Sequence, residues 1–105
     1  MYPGLMQQTP LNISKIIDYA ALAHGRTEIV SKNVDEPIRR YDYAGVAARA
    51  AQGAHWLGRI GIEAGDRVSS LAWNNHRHFE LFFAVPGMGA VLHTANPRLP
   101  DDQIA

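Results

Sequence analysis

The segment from Arg67 to Thr94 constrains the fold more than any other part of the chain. RVSSLAW (Arg67 to Trp73) has the composition of a strand, HRHFELFFAVPGM (His76 to Met88) that of a helix, and AVLHT (Ala90 to Thr94) that of a second strand. Strands joined by a tight turn run antiparallel, whereas a helix between them makes a crossover that leaves them parallel and right-handed. Asn74 or Asn75 is placed to cap the helix, Pro86 to kink or terminate it, and Gly89 to close it as a C-cap. This βαβ unit predicts the α/β class.

The remaining elements fit around it. Residues 1–11 form a lead-in without periodicity. Ile13, Ile16, Ile17, Ala20 and Ala23 then recur at helical spacing, with Asn12 or Ser14 as a cap and Gly25 as a stop. EIVSK (Glu28 to Lys32) and IRRYD (Ile38 to Asp42) flank the turn-rich NVDEP, which predicts an antiparallel hairpin. Asp42 caps the longest helix, Tyr43 to Ile60, whose apolar stripe is Val46, Ala47, Ala50, Ala54, Leu57 and Ile60. Half of that stripe is alanine, so a neighbouring backbone can approach closely. Gly61 lies where a left-handed C-terminal turn belongs, and GIEAGD leads into the first strand of the βαβ unit. The expected architecture is α/β, with a parallel βαβ unit, an antiparallel hairpin and three main helices.

Phe79, Leu81, Phe82, Phe83, Ala84, Val85 and Met88 cover almost the whole circumference of the third helix. A helix apolar on every side is expected to be buried on every side. The chain also ends oddly. Pro100-Asp101-Asp102 reads as a helix start, yet only Gln103, Ile104 and Ala105 follow, and a single turn does not sustain itself. Both features point to a piece of something larger.

Composition narrows the function classes. The 105 residues are 47% hydrophobic and 19% charged, which fits a globular domain and not a disordered one. Ten basic residues balance ten acidic ones, and Arg39-Arg40 is the longest basic run, so a nucleic-acid-binding face is not expected. The absence of cysteine excludes disulfides, thiolate chemistry and cysteine-based zinc sites. The N-terminal MYPGLMQQTPLN has no secretory pattern and no stretch is long enough to span a membrane, so a cytoplasmic protein is expected.

The chemistry-bearing residues have structural explanations. Gly87-Met88-Gly89 follows a helix and precedes a strand, the reverse of the order a dinucleotide-binding turn requires. His76 and His78 are two apart and face different ways, whereas a helical metal pair needs three- or four-residue spacing. His24 and His55 are isolated on helix faces, and His93 after an apolar run reads as a core or interface histidine. Asp35, Glu36, Asp66, Asp101 and Asp102 all fall at turns or helix starts. Ser31, Ser69 and Ser70 lie on or beside strands, without the strand-to-helix elbow of a nucleophile. No catalytic, cofactor-binding or metal-ligating residue is expected in this chain.

GDRVSSLAWNNHRHFELFFAVPGMGAVLHTANPRLPDDQIA (Gly65 to Ala105) closely resembles the N-terminal region of medium- and long-chain fatty-acyl-CoA ligases, within the AMP-forming adenylating-enzyme superfamily. AVPGMGAVLHTANPRL is the most specific part, and RRYDYAGVAARA (Arg39 to Ala50) is similar to the family's short aromatic-containing strand entering its first long helix. The resemblance implies an N-terminal α/β subdomain fragment over residues 12–105, truncated at 105, with the remainder of the parent enzyme as its partner. It implies ATP, Mg²⁺ and CoA for the parent. The carboxylate is first joined to AMP as a mixed anhydride, with Mg²⁺ offsetting phosphate charge, and CoA thiolate then displaces AMP. The family's phosphate loop, acidic magnesium motif and catalytic lysine have no counterpart here, so the chain alone is expected to be inert. Trp73, His93, Asn96 and Arg98 lie where open α/β sheets place their crevice and are the expected substrate-proximal residues. Two other classes compete: a stand-alone binding or oligomerisation module, possible as a homodimer, and a small flavodoxin-like ligand binder.

Overall fold

A computed structural model describes residues 4–104; the first three residues of the expected lead-in and the closing Ala105 lie outside the described residues. The element order is α1 (Ser14–His24), β1 (Glu28–Ser31), β2 (Arg39–Asp42), α2 (Tyr43–Arg59), β3 (Arg67–Leu71), α3 (His76–Gly87), β4 (Val91–Ala95) and the short α4 (Asp101–Ile104). β1 and β2 pair antiparallel, Glu28 opposite Asp42, and β3 and β4 pair parallel, Ser69 opposite His93. The two pairs are separate two-stranded sheets. The α/β class, the hairpin and the parallel βαβ unit therefore stand as read. No described helix is long and apolar enough to cross a membrane.

The core sits where two helix ends meet. α2 closes with the Gly61 amide on the Gly58 carbonyl oxygen (3.1 Å) and the Ile62 amide on that of Leu57 (3.1 Å). α3 closes the same way, Gly89 to Pro86 (3.0 Å) and Ala90 to Val85 (3.2 Å). Both are Schellman motifs, and both use a left-handed glycine, Gly61 at φ 96° and Gly89 at φ 87°. Each motif brings an apolar residue back over its own last turn. Leu57, Val85 and Ala90 form the buried cluster, with Ile62, Val68, Leu81, Met88 and Leu92 packed around it. The turns are also tied together, since the Gly65 amide donates to the Gly89 oxygen (2.9 Å) and the Val91 amide to that of Asp66 (2.7 Å).

Small residues set the distance between α2 and α3. Ala50 and Ala84 are buried, and a Cβ on Gly53 would lie 3.4 Å from that of Ala84. The helix starts follow the expected caps. The Asp42 carboxylate accepts from the Gly45 amide (2.8 Å) and the Asn75 side chain from the His78 amide (3.1 Å). Of the two candidates at α3, Asn75 is thus the cap and Asn74 is exposed. Asn75→Ala is expected to lower unfolding free energy by about 1 kcal/mol in urea titrations, and Asn74→Ala by no more than a few tenths.

Three expectations need correction. α1 has no side-chain cap: Ile13 occupies that position, and the Lys15 and Ile16 amides donate instead to the carbonyl oxygens of Asn12 (3.1 Å) and Ile13 (3.0 Å). Gly25 is the stop of α1 as read, in right-handed geometry, and a Cβ there would collide with the Ala21 carbonyl oxygen. Of the α1 stripe only Ile17 is buried, while Ile13 and Ile16 are exposed. α3 is not buried on every side either, since Phe82 is 42% exposed and the polar His76 and Glu80 are among its buried residues. The helix has α2 and α1 on one side and the small sheet on another. Too little described structure exists to cover the rest.

Candidate functional site

β3 and β4 run parallel, so their C-terminal ends open on the same edge. The chain leaves β3 through Ala72 to Asn75 and leaves β4 through a turn in which the Leu99 amide donates to the Asn96 carbonyl oxygen (3.2 Å). The Asn96 side chain accepts from the Arg98 amide (3.0 Å), so its oxygen holds the turn and its NH₂ is left for other partners. Between the two loops lies a groove of about 520 Å³ lined by Trp73, Asn74, His78, Phe82, Thr94, Asn96 and Arg98, among others.

Three of the four expected residues meet here. The Arg98 guanidinium lies 5.9 Å from the Trp73 ring centroid, a cation–π distance, and Arg98 enters no ion pair with the described residues. Asn96 orders the turn that carries Arg98. His93 does not join them. It is exposed, with Nδ1 3.2 Å from the Ser69 hydroxyl across the strand pair, and it does not line the groove. It is not a core histidine.

The groove has a wall that the sequence reading missed. His78 stands one turn before Phe82, their rings 5.1 Å apart, and its Nε2 is 3.2 Å from the Ser70 hydroxyl, which orients it. The signal was present in the register of α3: with Asn75 as cap, His78 and Phe82 share one helix face.

A second polar cluster lies under the hairpin. Glu80 is buried and accepts from Arg49 Nε at 2.6 Å, joining α3 to α2. Tyr41 from β2 packs edge-on against His76, 6.3 Å between ring centroids, and its buried hydroxyl has no hydrogen-bond partner among the described residues. Burial, reinforced by the Glu80 carboxylate, pushes the Tyr41 phenol up to about 12. Burial also pushes the His76 imidazole down; Glu80 opposes that shift, and Arg39 and Arg77 add to it. Hydrogen bonds from Asn33 and Arg77 hold the Glu36 carboxyl below its ordinary value. The lone acid of α3 and an arginine in the middle of the alanine-rich run of α2 were the sequence clues to this pair.

Neither cluster fits Mg²⁺. Among the described residues no group of three or more His, Asp or Glu side chains converges. The start of α3 is equally unsuited to a phosphate chain, because its His76 and His78 amides are taken by the Ser31 hydroxyl and the Asn75 side chain.

Residues 18–105 match a family model described as AMP-binding enzyme. The chain is 45% identical over 104 residues to a long-chain-fatty-acid–CoA ligase of Thermus thermophilus, covering 99% of this chain and 19% of that protein. It is 45% identical over 101 residues to a 3-methylmercaptopropionyl-CoA ligase of Ruegeria lacuscaerulensis, covering 96% and 19%. Among solved structures, a Mycobacterium tuberculosis fatty acyl CoA synthetase superimposes with a TM-score of 0.75 at 30% identity, over 89% of this chain and 18% of that one. The chain spans about a fifth of the length of these relatives.

Proposed function

We propose, since this chain belongs to the AMP-binding enzyme family, that it is part of the N-terminal subdomain of an acyl-CoA ligase acting on a medium- or long-chain fatty acid. The observation that carries this reading is its 45% identity, over almost its entire length, to a long-chain-fatty-acid–CoA ligase of which it spans 19%. In this proposal residues 1–11 lead in to a partial subdomain of residues 12–105, and the remainder of the enzyme is its partner. The bare face of the β3–β4 pair supports it. Arg67, Ser69, Leu71, Val91 and His93 are all exposed, whereas parallel sheets are ordinarily covered on both faces.

The parent reaction has two displacements. A carboxylate oxygen attacks the α-phosphorus of ATP and expels pyrophosphate, giving an acyl-adenylate. The CoA thiolate then attacks the acyl carbon and expels AMP. Mg²⁺ supplies charge neutralisation on the phosphates when bound. This chain's own contribution is proposed to be the groove. There Arg98, stacked on Trp73 and without a carboxylate partner among the described residues, faces an anionic part of a substrate, and the Asn74 and Asn96 amides orient it. Direct catalysis is not assigned to any residue.

A second reading, a non-enzymatic oligomerisation module, has one observation in its favour: the exposed Ile16, Tyr19 and Leu22 of α1. Immunoblotting source-cell lysate with an antibody against this chain separates the two. A band several times larger than 11.6 kDa is expected, and a band at that mass would reject the ligase-segment reading. Incubated with fatty acid, ATP, Mg²⁺ and CoA, the 105-residue chain is expected to release no pyrophosphate above background. Turnover would overturn its proposed inactivity.

A further inference from the structure

The hairpin and the third helix share one buried hydroxyl. Ser31, the last residue of β1, accepts from the His76 amide at 3.0 Å and lies 3.3 Å from His76 Nδ1. Ser31 is 9% exposed and His76 5%, and the two are 45 residues apart in sequence. A hydroxyl has one hydrogen and two lone pairs. With a lone pair given to the amide, its hydrogen is free to donate to an unprotonated Nδ1, which satisfies both groups.

Charging the ring breaks that arrangement. Nδ1 becomes a donor that can use only the remaining lone pair of the oxygen, and the hydroxyl hydrogen loses its acceptor inside the fold. The added charge also falls in the first turn of α3, at the positive end of its macrodipole. The groups facing the ring come from every neighbouring element. β1 presents Ser31, β2 presents Arg39 and Tyr41, the hairpin connection presents Glu36, and α3 presents Arg77 and Glu80. The two carboxylates are already engaged, Glu80 with Arg49 of α2 at 2.6 Å and Glu36 with Asn33 and Arg77 at 2.6 and 2.9 Å. Neither is left to neutralise a new cation.

We propose that the Ser31–His76 contact is an acid-sensitive latch, which holds the β1–β2 hairpin on the start of α3 while the imidazole is neutral and releases it when the ring is charged. The direction follows from the folded state favouring the neutral form. The stabilisation is complete above the ordinary histidine value of about 6.5 and is lost as pH falls through the lower value of the folded protein. Release acts locally, because the hairpin touches α3 mainly at this end, whereas α2, β3 and β4 are held by the separate Leu57–Val85–Ala90 cluster.

Amide hydrogen exchange on the chain tests this. After correction for intrinsic exchange, β1–β2 amides are expected to open about tenfold more readily at about pH 5 than at about pH 7.5, relative to amides of α2 and β4. His76→Asn keeps an acceptor near Ser31 and cannot titrate, so it is expected to flatten that response. An equal pH response in wild type and variant, a uniform rise across all elements, or no rise in wild type would overturn the latch. Should His76→Asn not fold, ¹⁵N imidazole spectra of the wild-type chain decide. His76 is expected to titrate below the ordinary histidine value of about 6.5, with Nδ1 unprotonated in its neutral form; a midpoint at or above that value would overturn it.

Discussion

Leu57→Ala is expected to destabilise the chain by about 3 kcal/mol, within the range for leucine truncation in a core. Leu57 is 6% exposed, belongs to the central cluster, and supplies the carbonyl that closes the α2 Schellman motif onto Ile62. Truncation removes transfer energy and leaves a void bordered by Val85 and Ala90, residues that the α3 Schellman motif fixes in place. A void between two rigid turns collapses poorly, which argues against the low end of the range. A domain of this size has a total stability of about 5–15 kcal/mol, so the loss is a large fraction of it. The thermal midpoint is expected to fall by on the order of 15 °C. Ile60→Ala is the control. It lies on the same sequence stripe but is 56% exposed, and is expected to change stability by no more than about 0.5 kcal/mol. Circular-dichroism melts showing equal losses for the two would contradict this placement of the core.

That contrast also shows where sequence periodicity stops being informative. Caps, turns and the left-handed glycines that close α2 and α3 are local, decided by residues a few positions apart, and Asp42, Asn75, Gly61 and Gly89 occupy the expected places. The parallel pairing of β3 and β4 was legible for the same reason, since an intervening helix leaves few alternatives. Ile60 and Leu57 look alike in a helical stripe. Only the packing of α3 and the turn after α2 separates them. α1 fails similarly: its apolar residues have helical spacing, but just one of them, Ile17, is buried.

The groove was partly legible. Trp73, Asn96 and Arg98 could be placed because the C-terminal ends of parallel strands converge whatever their side chains. His93 was drawn into the same group by proximity in sequence, although strand alternation sets it on the open face beside Ser69. The polar cluster under the hairpin was not legible. Ser31, Tyr41, Arg49, His76 and Glu80 come from four elements and meet only after the hairpin folds back on α3. Asp35, Glu36, Asp66, Asp101 and Asp102 have turn or helix-start roles within a few residues, whereas the partner of Glu80 lies 31 residues away in sequence.

Glu80 makes the second large effect asymmetric. Arg49→Met is expected to destabilise by about 3 kcal/mol and Glu80→Gln by about 1 kcal/mol, although both remove the same ion pair. The difference lies in what each leaves behind. The Glu80 side chain is 10% exposed and that of Arg49 41%, so an unpaired arginine can turn to solvent and an unpaired carboxylate cannot. Arg49→Met leaves a desolvated carboxylate without its arginine, whereas Glu80→Gln leaves a neutral amide and an arginine that reaches solvent. Urea titrations of both variants at neutral pH are the measurement. A deficit for Arg49→Met no larger than that for Glu80→Gln would mean that Glu80 finds water or the Tyr41 hydroxyl instead, and that the pair is not what fixes α2 against α3.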